Sequence, residues 1–274
     1  LMAQFKYRHE VVGMDIDEIN ITRASDCRRA VADTGPDLVI NAAAFTNVDA
    51  CETATEECFA VNGEGVKNIA LACRDKNIPL VHYSTDYVFD GNSDTPYLED
   101  APCNPINTYG ASKLTGEHYL RQTTDNYLII RTAWLYSSYG NNFVKTMVSL
   151  GSERSEIGVV ADQIGTPTYA RDLAKAILTI IPQIGEHRGD IYHYTNEGSC
   201  TWFDFAALIM TYCGLDCKVN PLTTEEYPTA ARRPAYSVLD KSKIREEFGV
   251  ETPWWSISLR EALRKMGKPV PQHL

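Results

Sequence analysis

Apolar residues in this chain fall into short continuous runs, separated by longer stretches in which they recur every three or four positions. Short runs suit buried strands and the longer period suits helices with one apolar face. Residues 10–14 (EVVGM) read as a strand. Ser25, followed by Asp26, caps a helix to about residue 33, closed by Gly35-Pro36. Residues 38–40 form a buried strand that ends in Asn41-Ala42-Ala43-Ala44. A helical region spans 55–76 with a break near Asn62-Gly63, then a strand at 78–83, a helix at 107–123 and a strand at 127–131. Strands alternating with helices of this length predict βαβ units and a parallel sheet, so the fold class is doubly wound α/β. Beyond about Phe143 the rhythm loosens. Strands are expected at 157–161 and 191–195, helices at 169–181, 201–213, 240–248 and 256–266, and an extended loop at 221–234. This part forms a smaller lobe interleaved with the sheet.

Composition narrows the class. A chain of 274 residues, 44% apolar and 23% charged, buries the core of one large domain or two small ones. No run of about 18 apolar residues occurs and the first ten positions are polar and mixed, so neither a membrane span nor a signal peptide is expected. A formal charge of −10 argues against nucleic acid as a partner. A small anionic ligand needs only a few focused cations, for which Arg232-Arg233 is the densest cluster. The eight cysteines sit in apolar helical stretches, and Cys213 and Cys217 lack the spacing of a zinc site. Reduced thiols, a cytoplasmic protein and no metal are the expectation.

Candidate chemistry gathers where strands end. In open α/β sheets ligands bind at the carboxyl edge of the strands. Asp15, with Ile16 after it, follows the 10–14 run, where a carboxylate would accept hydrogen bonds from an adenosine ribose and disfavour a 2′-phosphate. Ala42, Ala43 and Ala44 let a flat cofactor approach the backbone. Thr85 and Asp86 follow the 78–83 strand, and a hydroxyl there donates to a carbonyl oxygen as charge develops. Tyr109 and Lys113 are four apart on the 107–123 helix and share a face. An ammonium within about 4–6 Å favours phenolate, which makes Tyr109 a proton donor to an alkoxide and Lys113 its tuning partner. Each of these signals alone is weak. A glycine-rich turn that would receive a pyrophosphate does not occur, and the chain opens on what reads as the helix after such a turn.

Taken together, Thr85, Tyr109-Gly110-Ala111-Ser112-Lys113, Asn41-Ala42-Ala43-Ala44 and Asp15 resemble the extended short-chain dehydrogenase/reductase family, whose fold is Rossmann-like. Further blocks carry the resemblance: Arg131-Thr132-Ala133-Trp134, Gly140-Asn141-Asn142-Phe143, residues 162–168 and Arg233-Pro234. They cover nearly the whole chain apart from a first strand and its glycine turn. The resemblance implies reduction of the 4-keto group of a dTDP-linked keto-sugar by NADPH or NADH, Asp15 tilting the balance to NADH. It implies catalysis by Thr85, Tyr109 and Lys113, cofactor contacts from Asp15, Ile16, Ala42, Ala43, Ala44, Tyr109 and Lys113, and sugar or diphosphate contacts from Thr85, Asp86, Trp134, Asn142, Gln163 and Arg233. Residues 1–143, with 169–195 returning to them, would hold the cofactor, and 144–168 with 196–274 the substrate. A homodimer is compatible with this reading. Two alternatives remain: a nucleotide-binding regulatory subunit of the same fold, disfavoured because Thr85, Tyr109 and Lys113 are all present, and a related epimerase or dehydratase, which would want a second carboxylate beside the Thr85-Asp86 pair.

Overall fold

Leu128, Ile129 and Ile130 are all buried completely, although side chains alternate between the two faces of a strand. Such a run requires cover on both sides. The computed structural model, which describes residues 1–270, shows that cover. Four parallel strands lie in the order Val39–Asn41, Leu80–Thr85, Tyr127–Thr132, Asp190–His193. Val81, Leu128 and Ile130 pack with Leu173, Ile177 and Ile180 of the helix Ala170–Ile180. On the opposite face Leu80 and Ile129 pack with Val31 of the helix Ala24–Thr34 and Ile69 of the helix Gly65–Arg74. The parallel α/β class expected from the sequence is the class observed.

A third core holds the remaining elements. The helices Phe143–Glu153, Trp202–Cys213 and Trp255–Lys265 close around Ile157 and Val159. Those two residues belong to the strand Glu156–Val160, which pairs in parallel with Lys218–Leu222. The latter strand occupies the start of what was expected to be an extended loop. Its pattern holds two polar positions and Pro221, so its alternation is faint. A capping box at Thr201 and Asp204 starts the Trp202–Cys213 helix.

Two expectations fail. Residues 10–14 form no strand, and Val12 and Met14 are exposed. A strand needs a ladder partner for its amides and carbonyls, and among the described residues none lies beside this segment. Asp15 and Ile16 therefore sit in an exposed turn rather than at a strand end. The Asp15 carboxylate accepts from the Ile16 amide at 2.7 Å. The cysteines depart from expectation as well: Cys51 and Cys58 are joined as a disulfide, and the other six are free thiols. Cys51 lies on the short helix Val48–Thr53 and Cys58 on Thr55–Phe59, neither resolved as a separate element by the apolar pattern.

The break expected near Asn62-Gly63 is a π-helical turn, Ala60–Glu64. Such turns interrupt helices at functional sites. Its carbonyl at Asn62 lies against the helix Thr108–Thr123 so closely that a Cβ on Gly116 would stand 2.2 Å from it. A Cβ on Gly110 would stand 2.1 Å from the Tyr87 carbonyl. These two glycines let one helix lie directly on two backbone segments.

Candidate active site

The Leu80–Thr85 and Tyr127–Thr132 strands end in register, Thr85 opposite Thr132, and the chain leaves both at the same edge of the sheet. Asn107 accepts from the Gly110 amide at 2.7 Å and so caps the helix Thr108–Thr123. Glu52 reinforces that end by accepting from the Thr108 amide at 2.8 Å and its hydroxyl at 2.9 Å. The first turn of this helix sets Tyr109 against the strand edge. There the Thr85 hydroxyl lies near enough to pull the phenol's proton affinity down, and the Tyr109 ring meets Tyr87 edge-on at 5.9 Å.

Thr85 in turn donates to Asp86 Oδ1 at 3.0 Å and accepts from the Tyr87 amide at 3.2 Å. Thr85 and Asp86 are both buried, at 5% and 2% exposure. Burial pushes the Asp86 carboxyl up to about 6, against the pull of the Ser237 and Thr85 hydroxyls. Burial also pushes the Tyr109 phenol up to about 12, opposed by Thr85 and reinforced by Asp86.

Lys113 is buried one turn along, and its ammonium donates to the Tyr83 carbonyl at 2.7 Å. Burial brings it down to about 8, with Glu117 pulling the other way. The anticipated depression of the Tyr109 phenol by Lys113 is thus absent. The ammonium is turned to a backbone oxygen, and burial decides the phenol's proton affinity. Two of the three donors on Lys113 remain for a ligand.

The Asn41–Ala44 strand end is held from beneath. Asn41 accepts from the Ala43 amide at 3.1 Å and meets the His82 ring at 3.2 Å. Ala42 and Ala43 are exposed beyond the strand. Asn62, on the π-helical turn, is completely buried and ties this loop to the helix carrying Tyr109. It accepts from the Phe45 amide at 2.8 Å and donates to the Phe45 carbonyl and the Ser112 hydroxyl, both at 3.0 Å. Nothing in its apolar neighbourhood singled out Asn62, although the break in helical pattern fell at that position.

The sugar-side candidates separate. Trp134 lies two residues past the strand end in a left-handed conformation, φ +47°, which a bulky residue rarely adopts. Its indole stacks on Trp202 at 3.5 Å between ring centroids, and a Cβ on Gly165 would come within 2.5 Å of it. Asn142 has its side chain engaged as a helix cap, accepting from the Lys145 amide at 3.3 Å and donating to the Ser137 carbonyl at 2.8 Å. Gln163 is buried and donates to Thr224 at 3.0 Å. Arg233 grips Asp49 through both terminal nitrogens at 2.6 and 2.7 Å. As placed here, Asn142 and Arg233 spend their groups on the protein itself.

The arrangement therefore offers a protonated phenol on a hydroxyl–carboxyl pair, a buried ammonium with free donors and an open shelf of small residues. That set fits a reduced nicotinamide beside a carbonyl substrate. Ser84 and Thr132 add buried hydroxyls without partners at the same edge.

Comparison with known proteins resolves the family. A profile described as RmlD substrate binding domain matches residues 1–268. The chain belongs to the RmlD family. A dTDP-4-dehydrorhamnose reductase from Burkholderia thailandensis is 39% identical over 94% of this chain and 91% of its own. The crystal structure of a dTDP-4-dehydrorhamnose reductase from Clostridium acetobutylicum is similar with a TM-score of 0.93 and 40% identity, covering 97% of this chain and 94% of that one. A dTDP-4-dehydrorhamnose reductase from Bacillus anthracis, solved in complex with NADP, has a TM-score of 0.90 and 38% identity over 96% and 94% of the two chains. RmlD membership accounts for the parallel sheet and for the order of the motif blocks along the chain.

Proposed function

We propose that this protein reduces the 4-keto group of dTDP-4-dehydrorhamnose to give dTDP-L-rhamnose, drawing on NADPH or NADH. The observation that carries the proposal is the meeting of Tyr109, Thr85 and Lys113 at one sheet edge in a chain that shares about 40% identity with reductases of that name. A reduced nicotinamide supplies the hydride. The chain's own residues supply the rest. Thr85 donates to the substrate carbonyl as its oxygen gains charge, and Tyr109 delivers a proton to that oxygen. Lys113 directs its two free donors to the nicotinamide ribose, and Ala42, Ala43 and Ala44 admit the cofactor to the strand end. Trp134 and Asp86 bound the sugar. Gln163 lines the same side, and Asn142 and Arg233 serve the pocket by fixing the loops around it. Residues 1–143 with 169–195 hold the cofactor, and 144–168 with 196–274 hold the sugar; positions 271–274 fall outside the described residues.

No helix among the described residues is long and apolar enough to cross a membrane, which accords with a place in the cytoplasm, where nucleotide sugars are made and NAD(P)H is abundant. Pairing of two copies into a homodimer is compatible with this function and not required by it.

The test is a panel of dTDP-linked and UDP-linked keto-sugars offered with NADPH and NADH. Oxidation of the nicotinamide with dTDP-4-dehydrorhamnose, and release of dTDP-L-rhamnose, is the expected result. Turnover with none of the panel would remove the reductase reading. The exposed Asp15 carboxylate carries a second expectation. Asp15→Ala should weaken NADH binding more than NADPH binding, because a ribose 2′-hydroxyl gains from a carboxylate and a 2′-phosphate is repelled by it. Equal loss for both in a fluorescence titration would show that Asp15 does not read the ribose.

A further inference from the structure

Reduction of a ketone consumes a proton, and the charge left behind settles on the most acidic group within reach. A Tyr109 phenolate would carry the full penalty of burial, since the phenol is already pushed up to about 12 in its protein surroundings. The hydrogen-bond chain does not stop at Tyr109. The phenol lies beside Thr85, whose hydroxyl donates to Asp86 Oδ1 at 3.0 Å; a protonated Asp86 turns that bond around and donates to the Thr85 oxygen, freeing the hydroxyl proton for Tyr109. Asp86 is 2% exposed, and its other oxygen, Oδ2, is buried without a hydrogen-bond partner.

We propose that Asp86 is the proton store of the reaction, passing its proton through the Thr85 hydroxyl to Tyr109 as Tyr109 protonates the sugar oxygen. The inference rests on the reductase reading and assigns Asp86 a role beyond contact with the sugar. The balance is simple. Hydride bonds to the carbonyl carbon, and the carbonyl oxygen takes the phenolic proton. Tyr109 then takes the hydroxyl proton of Thr85, and Thr85 takes the carboxyl proton of Asp86. The negative charge ends on Asp86, and solvent returns one proton after the product leaves. Thr85 has one proton and two roles in sequence, first donating to the carbonyl and then, once that oxygen is protonated, to Tyr109.

The surroundings suit a carboxyl that changes charge. Facing Asp86 are Thr85 and Tyr87 on its own segment, Tyr109 from the helix and Ser237 from the C-terminal loop. Lys113 donates to the Tyr83 carbonyl and Arg233 pairs with Asp49, and no cation is hydrogen bonded to Asp86 among the described residues. A cation paired with Asp86 would hold it ionised and empty the store. With none, burial keeps the proton on the carboxyl well above the ordinary aspartate range, to about pH 6.

Single-turnover oxidation of bound NADPH by dTDP-4-dehydrorhamnose, followed from pH 5 to 9, tests this. The wild-type rate of the chemical step should fall about tenfold per pH unit above a limb near 6. Asp86→Asn, which keeps the shape and cannot supply a proton, should lose that limb and run flat from pH 5.5 to 7.5 at a rate reduced about tenfold or more at pH 6. Asp86→Glu should restore a limb at a shifted position. KM is read separately, because Asp86 also bounds the sugar, and thermal unfolding confirms that each variant is folded. A limb retained in Asp86→Asn, or a loss confined to KM, would overturn the proton store and leave Asp86 a sugar contact. Wild-type protein that oxidises no NADPH with this sugar at any pH would instead overturn the reductase reading.

Discussion

Tyr109→Phe should lower turnover of dTDP-4-dehydrorhamnose by about 10²–10⁴-fold, the usual worth of a positioned proton donor, or about 3–5 kcal/mol of barrier at 1.36 kcal/mol per decade. The change deletes one oxygen. The Phe ring still meets Tyr87 edge-on, and the helix stays capped by Asn107 and held by Glu52, so the site keeps its shape. What disappears is the phenolic proton that Tyr109 gives to the substrate oxygen in the proposed reaction. Below about pH 12 the buried phenol keeps its proton, so in the wild type the donor is loaded across the neutral range. NADPH affinity should stay close to that of the wild type, since in the proposed reaction Lys113, which the substitution leaves in place, holds the nicotinamide ribose. Steady-state kinetics beside a fluorescence titration separates the two effects. Unimpaired turnover would remove Tyr109 from the mechanism, and a parallel loss of cofactor binding would mean that the substitution disturbed the site rather than its chemistry.

Tyr109 and Lys113 were legible because a helix repeats its faces at fixed spacing, and Asn107 three positions before Gly110 marks where that helix begins. Thr85 and Asp86 were legible because the apolar run before them is too short and too uniform for anything but a covered strand. What the phenol experiences was not legible. Spacing places Lys113 on Tyr109's side of the helix, but the direction of a long flexible side chain depends on an acceptor, here the Tyr83 carbonyl, that comes from a strand 30 positions earlier. Arg233 shows the same limit. Beside Pro234 it reads as a free cation, while its partner Asp49 is 184 positions away. Asn62 was hidden for a related reason, since its worth lies in joining Phe45 to Ser112 across 17 and 50 positions. The strand expected at 10–14 failed because period and composition describe one segment, whereas a ladder is a property of two.

Glu117→Leu and Arg131→Met should each destabilise the fold by about 3–5 kcal/mol. Glu117 follows Lys113 by one turn of the same helix, and Arg131 rises from the central strand beneath it. The two meet as a fork, Nε on Oε1 at 2.9 Å and Nη2 on Oε2 at 2.7 Å, with 3% and 1% of the side chains exposed. Arg131 also donates to the Glu99 carbonyl at 3.2 Å and lies over the Phe89 ring at 5.2 Å. Removing either partner strands a charge where water cannot reach it, and stranding is the costly event, not loss of the attraction. The double substitution removes both charges and leaves apolar groups between helix and sheet, so it should recover much of the loss. Thermal unfolding of the four proteins reads this directly. Each single variant should melt on the order of 10 °C below the wild type, at about 2–4 °C per kcal/mol for a chain of this size, and the double variant well above either. Additive losses in the double variant would mean that the pair is held up by its other neighbours, and melting within a degree or two of the wild type would show that the helix bearing Tyr109 and Lys113 does not depend on this fork for its seat on the sheet.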